Sequence, residues 1–371
     1  MIFRLTAQPI GRLLAPVIHH YQEAKLAKRP NEQNERIKRR FLEYRKHAGR
    51  LSDKTLDKEL GTLERFDVWK GRKDFARFHI EWAMGFRAHL EEAKSATGKP
   101  LGKSTTRAIM ATMREFTLWL SQQDGFRTRI KPADADYFNL SRRDEAEARA
   151  APTRPAPSIK QAKRALSLMP DKTARQMRDK AIFALLCLTG IRVAALVSLR
   201  IRHIDLAEKS VTQNPRDVAT KFGKRIDTFF AKGFEEAEVA LSAWIKYQDD
   251  TQLYGPDDPL FPATGLSSNA NTGFKAEGFE RRAWKSTEPV RKIINHAFEV
   301  ADLPAFGPHA FRHMLARHAA KTCTSVAELV ATSQNLGHTD VLTTLRSYGQ
   351  ISRERQRALI TGESGDDVLE D

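Results

Sequence analysis

Apolar residues recur at helical spacing through the first third of the chain. Leu56, Leu60 and Leu63 follow one another at i, i+4 and i+7 after a serine that can cap a helix. The stretch 74–93 repeats this spacing with phenylalanine and tryptophan, and the stretch 104–120 carries a third apolar stripe. The pattern therefore predicts a helical first domain.

The third of these helices has a basic side. Lys103, Arg107 and Arg114 fall opposite the apolar stripe on the helical wheel. Simple solvation of the helix explains such a face equally well, but in a basic chain it is typical of nucleic-acid binding. We therefore expect residues 51–143 to form a helical DNA-contacting domain in which these three side chains contact DNA.

A break in the pattern separates this domain from the rest of the chain. Residues 144–157 place three prolines among alanines and charged residues, a composition that neither packs nor continues a helix. Ser158 and Gln161 then form an S-x-x-Q capping box. The sequence predicts a linker over 144–157 and a second domain over 158–352.

Helical periodicity also dominates the second domain, beginning with a long helix from Thr173 to Leu188. Short, turn-bounded segments at 210–212, 217–221 and 225–230 predict a small antiparallel sheet. The predicted fold class is mainly α with a small antiparallel β-sheet. Further helices are expected at about 234–247, 287–301, 309–320, 325–336 and 340–348.

Charge points to a polyanionic partner. The 371 residues carry 62 Lys and Arg against 46 Asp and Glu, a net charge of +16, which gives the molecule a positive field at physiological pH. Residues 1–50 hold 12 basic and 4 acidic residues, as in a nucleic-acid-binding arm, although a transit peptide is the alternative interpretation. We predict a basic N-terminal extension over 1–50 and an acidic tail within the C-terminal segment 353–371.

Cysteine content and hydropathy bear on the compartment. Cys187 and Cys323 are too few for a disulfide framework, which favours a reducing, cytoplasmic environment. No run of residues approaches the roughly 18 to 20 uncharged apolar residues of a membrane span. We therefore expect no membrane partner.

Four short segments of the second domain carry the residue types that phosphodiester chemistry uses. Singly, each has a structural explanation, such as an arginine after a helix-ending glycine or a half-buried tyrosine. Together, two guanidinium groups can hold the oxygens of a five-coordinate phosphorus, a tyrosine hydroxyl can attack it, and a lysine can protonate the leaving oxygen. The segments are Thr189-Gly190-Ile191-Arg192, Thr220-Lys221, His309-Ala310-Phe311-Arg312, and Leu336-Gly337-His338 with Tyr348 ten residues later.

A metal site is the first alternative for one of these segments. His309 and His313 stand at i and i+4 on one predicted helix, the spacing of zinc peptidases. No glutamate lies between them, and Arg312 would oppose a divalent ion. No glycine-rich dinucleotide or P-loop fingerprint follows a predicted strand. We therefore predict neither a metal nor a cofactor.

At these residues the sequence resembles the tyrosine recombinase (phage integrase) family. In the family's order, the matching segments are TGIRVAALVSLR from Thr189, TKFGK from Thr220, HAFRH from His309 and LGHTDVLTTLRSY from Leu336. The resemblance covers about 155–352 and, more weakly, the helical domain before it. It implies a core-binding domain and an α+β catalytic domain that close as a clamp around DNA.

The resemblance implies a site-specific recombinase or integrase that cuts and rejoins DNA through a 3′-phosphotyrosyl intermediate, without metal or ATP. Tyr348 would be the nucleophile and Lys221 the general acid, while two arginines would clamp the phosphate. One histidine, His309, would orient or relieve the nucleophile, and the other, His338, would bond a non-bridging oxygen. The implied catalytic set is Arg192, Lys221, His309, Arg312, His338 and Tyr348.

The implied partners are double-stranded DNA at specific recombination sites, a homo-tetramer on two such sites, and accessory DNA-bending or directionality proteins. A type IB topoisomerase shares the chemistry but relaxes DNA without recombining it. A DNA-binding regulator with a decayed site is the alternative of another class, and Ala195 supports it because the family usually has an acidic residue there. Lys224, three residues after Lys221, is the alternative general acid.

Overall fold

A computed structural model divides the chain into two compact units, residues 1–150 and 151–371. The division falls inside the stretch 144–157 that the sequence predicts as a linker. The first 28 residues of the predicted basic extension and the acidic tail from residue 363 lie outside the described part. The structure describes residues 29–95, 97–149, 155–220, 223–269, 273–338, 340–348 and 353–362.

The first unit is helical, and its longer helices bury aromatic faces in one shared core. The rings of Phe41 and Phe116 meet edge to face at 5.2 Å between centroids, and those of Phe66 and Phe86 do so at 5.0 Å. Such pairs combine a large apolar area with favourable ring geometry. The helices are α1 (Glu32–His47), α2 (Asp53–Trp69), α3 (Ile80–Glu92), α4 (Lys103–Leu120) and α5 (Arg142–Arg149).

Helix α1 corrects the predicted basic extension over 1–50, because it belongs to this core. Phe41 is fully buried, and Lys38 is buried beside it. The ammonium group of Lys38 lies 3.3 Å from the carboxylate of Asp67, to which Asn34 also donates a hydrogen bond of 2.7 Å. A charge count treats Lys38 as available to DNA, whereas the fold uses it to join α1 to α2.

Helix α5 corrects the beginning of the predicted linker. Asp144 forms an ion pair with Lys103 at 2.9 Å, and Glu145 does so with Arg107 at 3.2 Å, so this segment packs against α4. The side chains described in α5 are exposed or half-buried. Charge attraction therefore holds α5 in place. The alanine and proline content of 144–157 does not reveal this attraction.

The second unit surrounds helix α7. Its side chains from Ala181 to Leu188 are all fully buried, and Phe183 contacts the rings of Phe298 and Phe311 at 5.4 and 5.0 Å between centroids. A helix covered on every side is apolar on every side, which explains the uninterrupted hydrophobic run. The helices are α6 (Ile159–Leu168), α7 (Ala174–Thr189), α8 (Val193–Leu196), α9 (Glu235–Asp250), α10 (Glu288–Val300), α11 (Ala310–Thr322), α12 (Val326–Asn335), α13 (Val341–Tyr348) and α14 (Arg353–Thr361).

Two small antiparallel sheets accompany these helices within the described residues. One has the order β1-β2-β3, with Val211 opposite both Ile204 and Thr228, and the other is a β4-β5 hairpin. The predicted strand at 217–221 is wrong over 217–220, where the chain turns instead of pairing. The strands are β1 (Ile204–Asp205), β2 (Ser210–Gln213), β3 (Ile226–Phe229), β4 (Ala263–Asn269) and β5 (Gly273–Glu280).

This architecture confirms the predicted fold class, mainly α with small antiparallel sheets. The sheet predicted from the sequence is present, whereas the β4-β5 hairpin was not expected. Across the described ranges, none of the helices combines the length and the apolar character needed to cross a bilayer.

Candidate functional site

Helix α7 is capped at its C-terminal end by Gly190, whose φ of +55° is the left-handed conformation that favours glycine. A Cβ atom on this residue would lie 3.3 Å from Cα of Arg312 and 3.1 Å from Cδ1 of Leu315. The end of α7 and helix α11 therefore approach this closely because residue 190 has no side chain.

Helix α12 ends in a Schellman motif. The backbone N–H of His338 donates to the carbonyl group of Ser333 at 3.0 Å, and that of Gly337 donates to Gln334 at 2.7 Å. Gly337 has a φ of +63°, as this motif requires. The backbone carbonyl groups of the turn remain available to other donors, at the helix end whose dipole favours cations.

The side chain of Asn335 fixes this turn to strand β3. Its Oδ1 accepts a hydrogen bond from the backbone N–H of Phe229 at 2.6 Å, and its Nδ2 donates to the carbonyl group of Phe229 at 2.9 Å. The amide thus pairs with the strand edge as a neighbouring strand would. The sequence analysis missed Asn335, and its place directly before Leu-Gly-His is the only signal that the sequence offers.

Two arginine side chains converge on these helix ends. Arg312 donates from Nη1 to the carbonyl group of Gly190 at 2.9 Å and from Nη2 to that of Leu336. Arg192 donates from Nη2 to the carbonyl group of Gly337 at 3.2 Å. Arg312 is 4% exposed, and its buried Nε has no hydrogen-bond partner within the described part of the chain. Backbone oxygens therefore orient both side chains and leave donor capacity unused.

The electrostatics of this pair favour an anion. Burial, and then the charge of Arg192, lower the pKa of Arg312 to about 9, and burial also lowers the pKa of Arg192. Among the described residues, no carboxylate forms an ion pair with either group. The position where an acid was expected is Ala195, which is 1% exposed. The carbonyl group of Gly337 supports Arg192 in its place.

His338 stands beside the arginines. Its Nδ1 lies 2.7 Å from Oγ1 of Thr344, which is fully buried in α13. Burial, and then the charges of Arg312 and Arg192, lower the pKa of His338 to about 4. The imidazole is therefore neutral at pH 7 and carries one ring proton. Thr344 is a second residue that the sequence analysis missed.

His309 completes the described cluster. It directly precedes α11 and is exposed, and its ring meets that of His313 edge to face at 4.9 Å between centroids. The charges of both histidines also lower the pKa of His338. The structure thus brings His309 and His338 together with the two arginines, although these residues are distant in sequence.

Two predicted catalytic residues lie at the edge of what is described. Tyr348 is the last residue of α13, the helix that carries Thr344 one turn earlier. Lys221 lies outside the described residues. The alternative general acid, Lys224, is exposed in the segment that precedes β3.

The predicted DNA-contacting residues lie on α4 in the other unit, and each is paired with an acidic side chain. Lys103 and Arg107 are exposed, and Arg114 is half-buried. Exposed ion pairs contribute only about 0.2–1 kcal/mol each, so a phosphate group can compete for the same cations. The pairs are Lys103–Asp144 (2.9 Å), Arg107–Glu145 (3.2 Å) and Arg114–Asp136 (3.3 Å).

A helical unit, an α+β unit and a cluster of arginines and histidines are the arrangement expected for a tyrosine recombinase, and the family model supports this class. Residues 159–355 match the model of the phage integrase family, and the chain belongs to that family. The family predicted from the sequence is therefore confirmed.

Individual relatives are similar at moderate identity. The tyrosine recombinase XerC of Bifidobacterium longum (strain DJO10A) is 29% identical over 184 residues, which are 49% of this chain and 46% of that protein. XerC of Treponema denticola is 26% identical over 336 residues, 86% of this chain and 95% of that protein. The crystal structure of the XerH site-specific recombinase bound to palindromic difH substrate has a TM-score of 0.59 at 14% identity, covering 88% and 84% of the two chains. The chain spans about half the length of the first curated relatives it matches, and the structural likeness shows the fold.

Proposed function

We propose that this chain is a site-specific DNA recombinase that cuts and rejoins DNA through a 3′-phosphotyrosyl intermediate, without metal or ATP. The observation that carries the proposal is the arginine pair. Arg312 is buried and Arg192 half-buried, and carbonyl groups hold both without a neutralising carboxylate among the described residues. Two like charges in a poorly solvated site are unfavourable until an anion joins them. A phosphodiester is the anion that both guanidinium groups fit.

In the proposed cleavage step, the hydroxyl oxygen of Tyr348 attacks phosphorus, and the bond from phosphorus to the 5′ oxygen breaks. His309 orients the hydroxyl group and takes up its proton, while Lys221 gives a proton to the departing 5′ oxygen. Negative charge grows on the non-bridging oxygens, where Arg192 and Arg312 stabilise it. Attack of a 5′ hydroxyl group on the phosphotyrosine reverses these steps and joins the strands, so no outside energy is consumed.

The neutral ring of His338 suits a hydrogen bond to one of those oxygens. A neutral imidazole keeps one N–H donor, and its pKa of about 4 keeps it in this state throughout the neutral range. Donation from His338 would supplement the two arginines without adding a third permanent charge to the site.

The proposal extends to the partners. The two units would close as a clamp on duplex DNA, with Lys103, Arg107 and Arg114 contacting phosphate groups, and four chains would assemble on two DNA sites with accessory DNA-bending or directionality proteins. The structure of XerH with its difH substrate supports DNA as the partner of this fold. Phosphate contacts of this kind make binding strongly salt-dependent.

A plasmid assay tests the proposed function. The recombination site is first isolated, by binding to the protein, from the DNA that flanks its gene. A supercoiled plasmid then carries two direct copies of this site, and the reaction contains EDTA and no ATP. A recombinase produces two smaller circles. We expect Arg312→Gln to abolish circle formation, and Arg291→Gln, an equal charge change at an exposed position of α10, to leave it unchanged. Relaxation without circles would identify a topoisomerase, and binding without cleavage a regulator.

A further inference from the structure

We propose that Thr344 is a positioning residue that sets the tautomer of His338, so that the N–H of its Nε2 faces the scissile phosphate. This inference rests on the proposed function, in which His338 donates to a non-bridging oxygen. None of the six residues implied by the family resemblance is Thr344.

The contact is specific. Oγ1 of Thr344 lies 2.7 Å from Nδ1 of His338, within hydrogen-bond distance, and Thr344 is fully buried. This hydroxyl group is therefore shielded from bulk solvent. Because the imidazole is neutral, only one of its nitrogens carries a proton, and the partner of Nδ1 decides which one.

The hydroxyl group of Thr344 allows either direction of this bond, and the phosphate selects between them. A carboxylate or a carbonyl group only accepts, so such a partner would place the proton on Nδ1 and turn the lone pair of Nε2 toward the phosphate. A threonine hydroxyl can donate to Nδ1 instead, which leaves the proton on Nε2. A non-bridging oxygen is itself an acceptor only, so His338 can bind it only in this second arrangement.

The position of Thr344 adds a mechanical link. Residues 344 and 348 are four apart in α13, that is, about one turn. The hydrogen bond therefore joins the turn at the end of α12, whose carbonyl groups hold the arginines, to the helix that ends at Tyr348. One contact thus sets the ring of His338 and ties α13 to the site.

The first test reads the tautomer directly in the full chain labelled with ¹⁵N-histidine. The His338 signal is assigned by its loss in His338→Gln. We expect the Nε2–H form in the wild type and in Thr344→Ser, which keeps the hydroxyl group. Thr344→Val replaces that group with a methyl group of similar size, and we expect it to populate the Nδ1–H form.

The second test measures cleavage and binding. Thr344→Val should slow strand cleavage roughly 10- to 100-fold, as expected for loss of a group that orients an active-site ring, with DNA affinity unchanged. Thr344→Ser should restore most of the rate. Thr117→Val, the same change at a buried threonine of α4, should alter neither the tautomer nor the rate.

The two tests separate this inference from the proposed function. An Nδ1–H form in the wild type overturns the inference even if no valine variant folds, and so does a valine variant with an unchanged tautomer and rate. The spectra need neither DNA nor activity. If the Thr344 variants change the tautomer of His338 but the protein cleaves no DNA, the role of Thr344 is supported and the proposed function is contradicted.

Discussion

Backbone carbonyl groups hold the two arginines of the site, and no carboxylate does so within the described ranges. The carbonyl groups of Gly190, Leu336 and Gly337 accept hydrogen bonds from Arg192 and Arg312 at the ends of two helices. Each helix end carries only a partial negative charge, about half a unit, so it orients a guanidinium group without neutralising it. The positive charge that remains is available to a phosphate, so the proposed function does not require an acidic residue at position 195.

The first residue-scale prediction concerns Gly190. Gly190→Ala combines the left-handed φ with a Cβ atom within 3.1–3.3 Å of Leu315, Leu336 and Arg312. We expect it to lower the free energy of unfolding by about 2–4 kcal/mol, from backbone strain and overpacking together, and to slow cleavage. Denaturant unfolding and the nicked-substrate assay measure the two effects.

Gly233→Ala is the matched control, because its φ is +82° and nothing lies within 4 Å of the added Cβ atom. It should show only the backbone contribution of about 1 kcal/mol, with normal cleavage. Equal losses for the two variants would mean that crowding beside Arg312 is unimportant.

The second residue-scale prediction concerns pH. The pKa of His338 in the folded state is about 4, below its ordinary value of 6.5. The unfolded chain therefore binds more protons between these values. The contribution of His338 to the free energy of unfolding is fully present above about pH 6.5 and is lost as the pH drops toward 4. His338→Gln should remove about 1–3 kcal/mol of this loss, measured by denaturant unfolding from pH 4.5 to 7.5.

His296→Gln, at an exposed position of α10, provides the comparison. It should retain the pH dependence of the wild type. A wild-type curve that His338→Gln reproduces at every pH would show that this ring titrates normally in the folded protein.

At the residue scale, the sequence predicted side-chain chemistry but not backbone chemistry. Four site residues could be selected from the sequence because their side chains have distinctive reactive groups, and the structure brings them together. They are Arg192, His309, Arg312 and His338. The carbonyl groups that hold the arginines could not be predicted, since every residue has one. Thr344 escaped notice because a buried threonine in a helix resembles any other until its partner is known.

At the scale of elements, the relation between α4 and α5 is the most informative. The acidic side chains of α5 contact the basic residues of α4 that are proposed to bind phosphate groups, Lys103 and Arg107. The described side chains of α5 are at most half-buried, so burial adds little to these ion pairs. A DNA backbone would have to displace the acids or share the cations with them.

We therefore expect removal of the two acidic side chains to strengthen DNA binding. Asp144→Asn combined with Glu145→Gln should raise affinity about 2- to 30-fold at low salt, because two exposed ion pairs no longer compete with phosphate. Fluorescence anisotropy with a labelled duplex measures the change.

The control carries the same charge change elsewhere, as Asp249→Asn with Asp250→Asn at the exposed end of α9. A similar gain in both variants would indicate a general effect of net charge. An unchanged affinity in the α5 variant would remove this side of α4 from the DNA interface.

Helices were predicted well where their signals are local. The capping box of Ser158 and Gln161 is present at the start of α6, and α7 spans Ala174–Thr189 where Thr173 to Leu188 was expected. The β4-β5 hairpin was missed although its pairing is local, because its strands contain glycine, serine and alanine. Such strands lack the alternating apolar pattern that sequence interpretation requires.

At the scale of the whole molecule, net charge predicted the class of partner but not where it binds. The charge of +16 agrees with membership of a family of DNA recombinases. The excess of basic over acidic residues in 1–50 suggested a separate DNA-binding arm, yet helix α1 in this segment supplies part of the core. A charge count cannot distinguish a lysine that pairs with a buried carboxylate from one that faces solvent.

The central claim is that Tyr348 is the nucleophile of a metal-independent strand cleavage. The most direct measurement traps the intermediate on a nicked suicide substrate in EDTA, followed by mass spectrometry of the DNA-linked peptide. We predict a covalent complex with the DNA 3′ end on Tyr348. Tyr348→Phe should bind the same site normally and trap nothing, and Tyr137→Phe, in the first unit, should trap as the wild type does. A complex in Tyr348→Phe, or cleavage that stops when EDTA is added, would contradict the account.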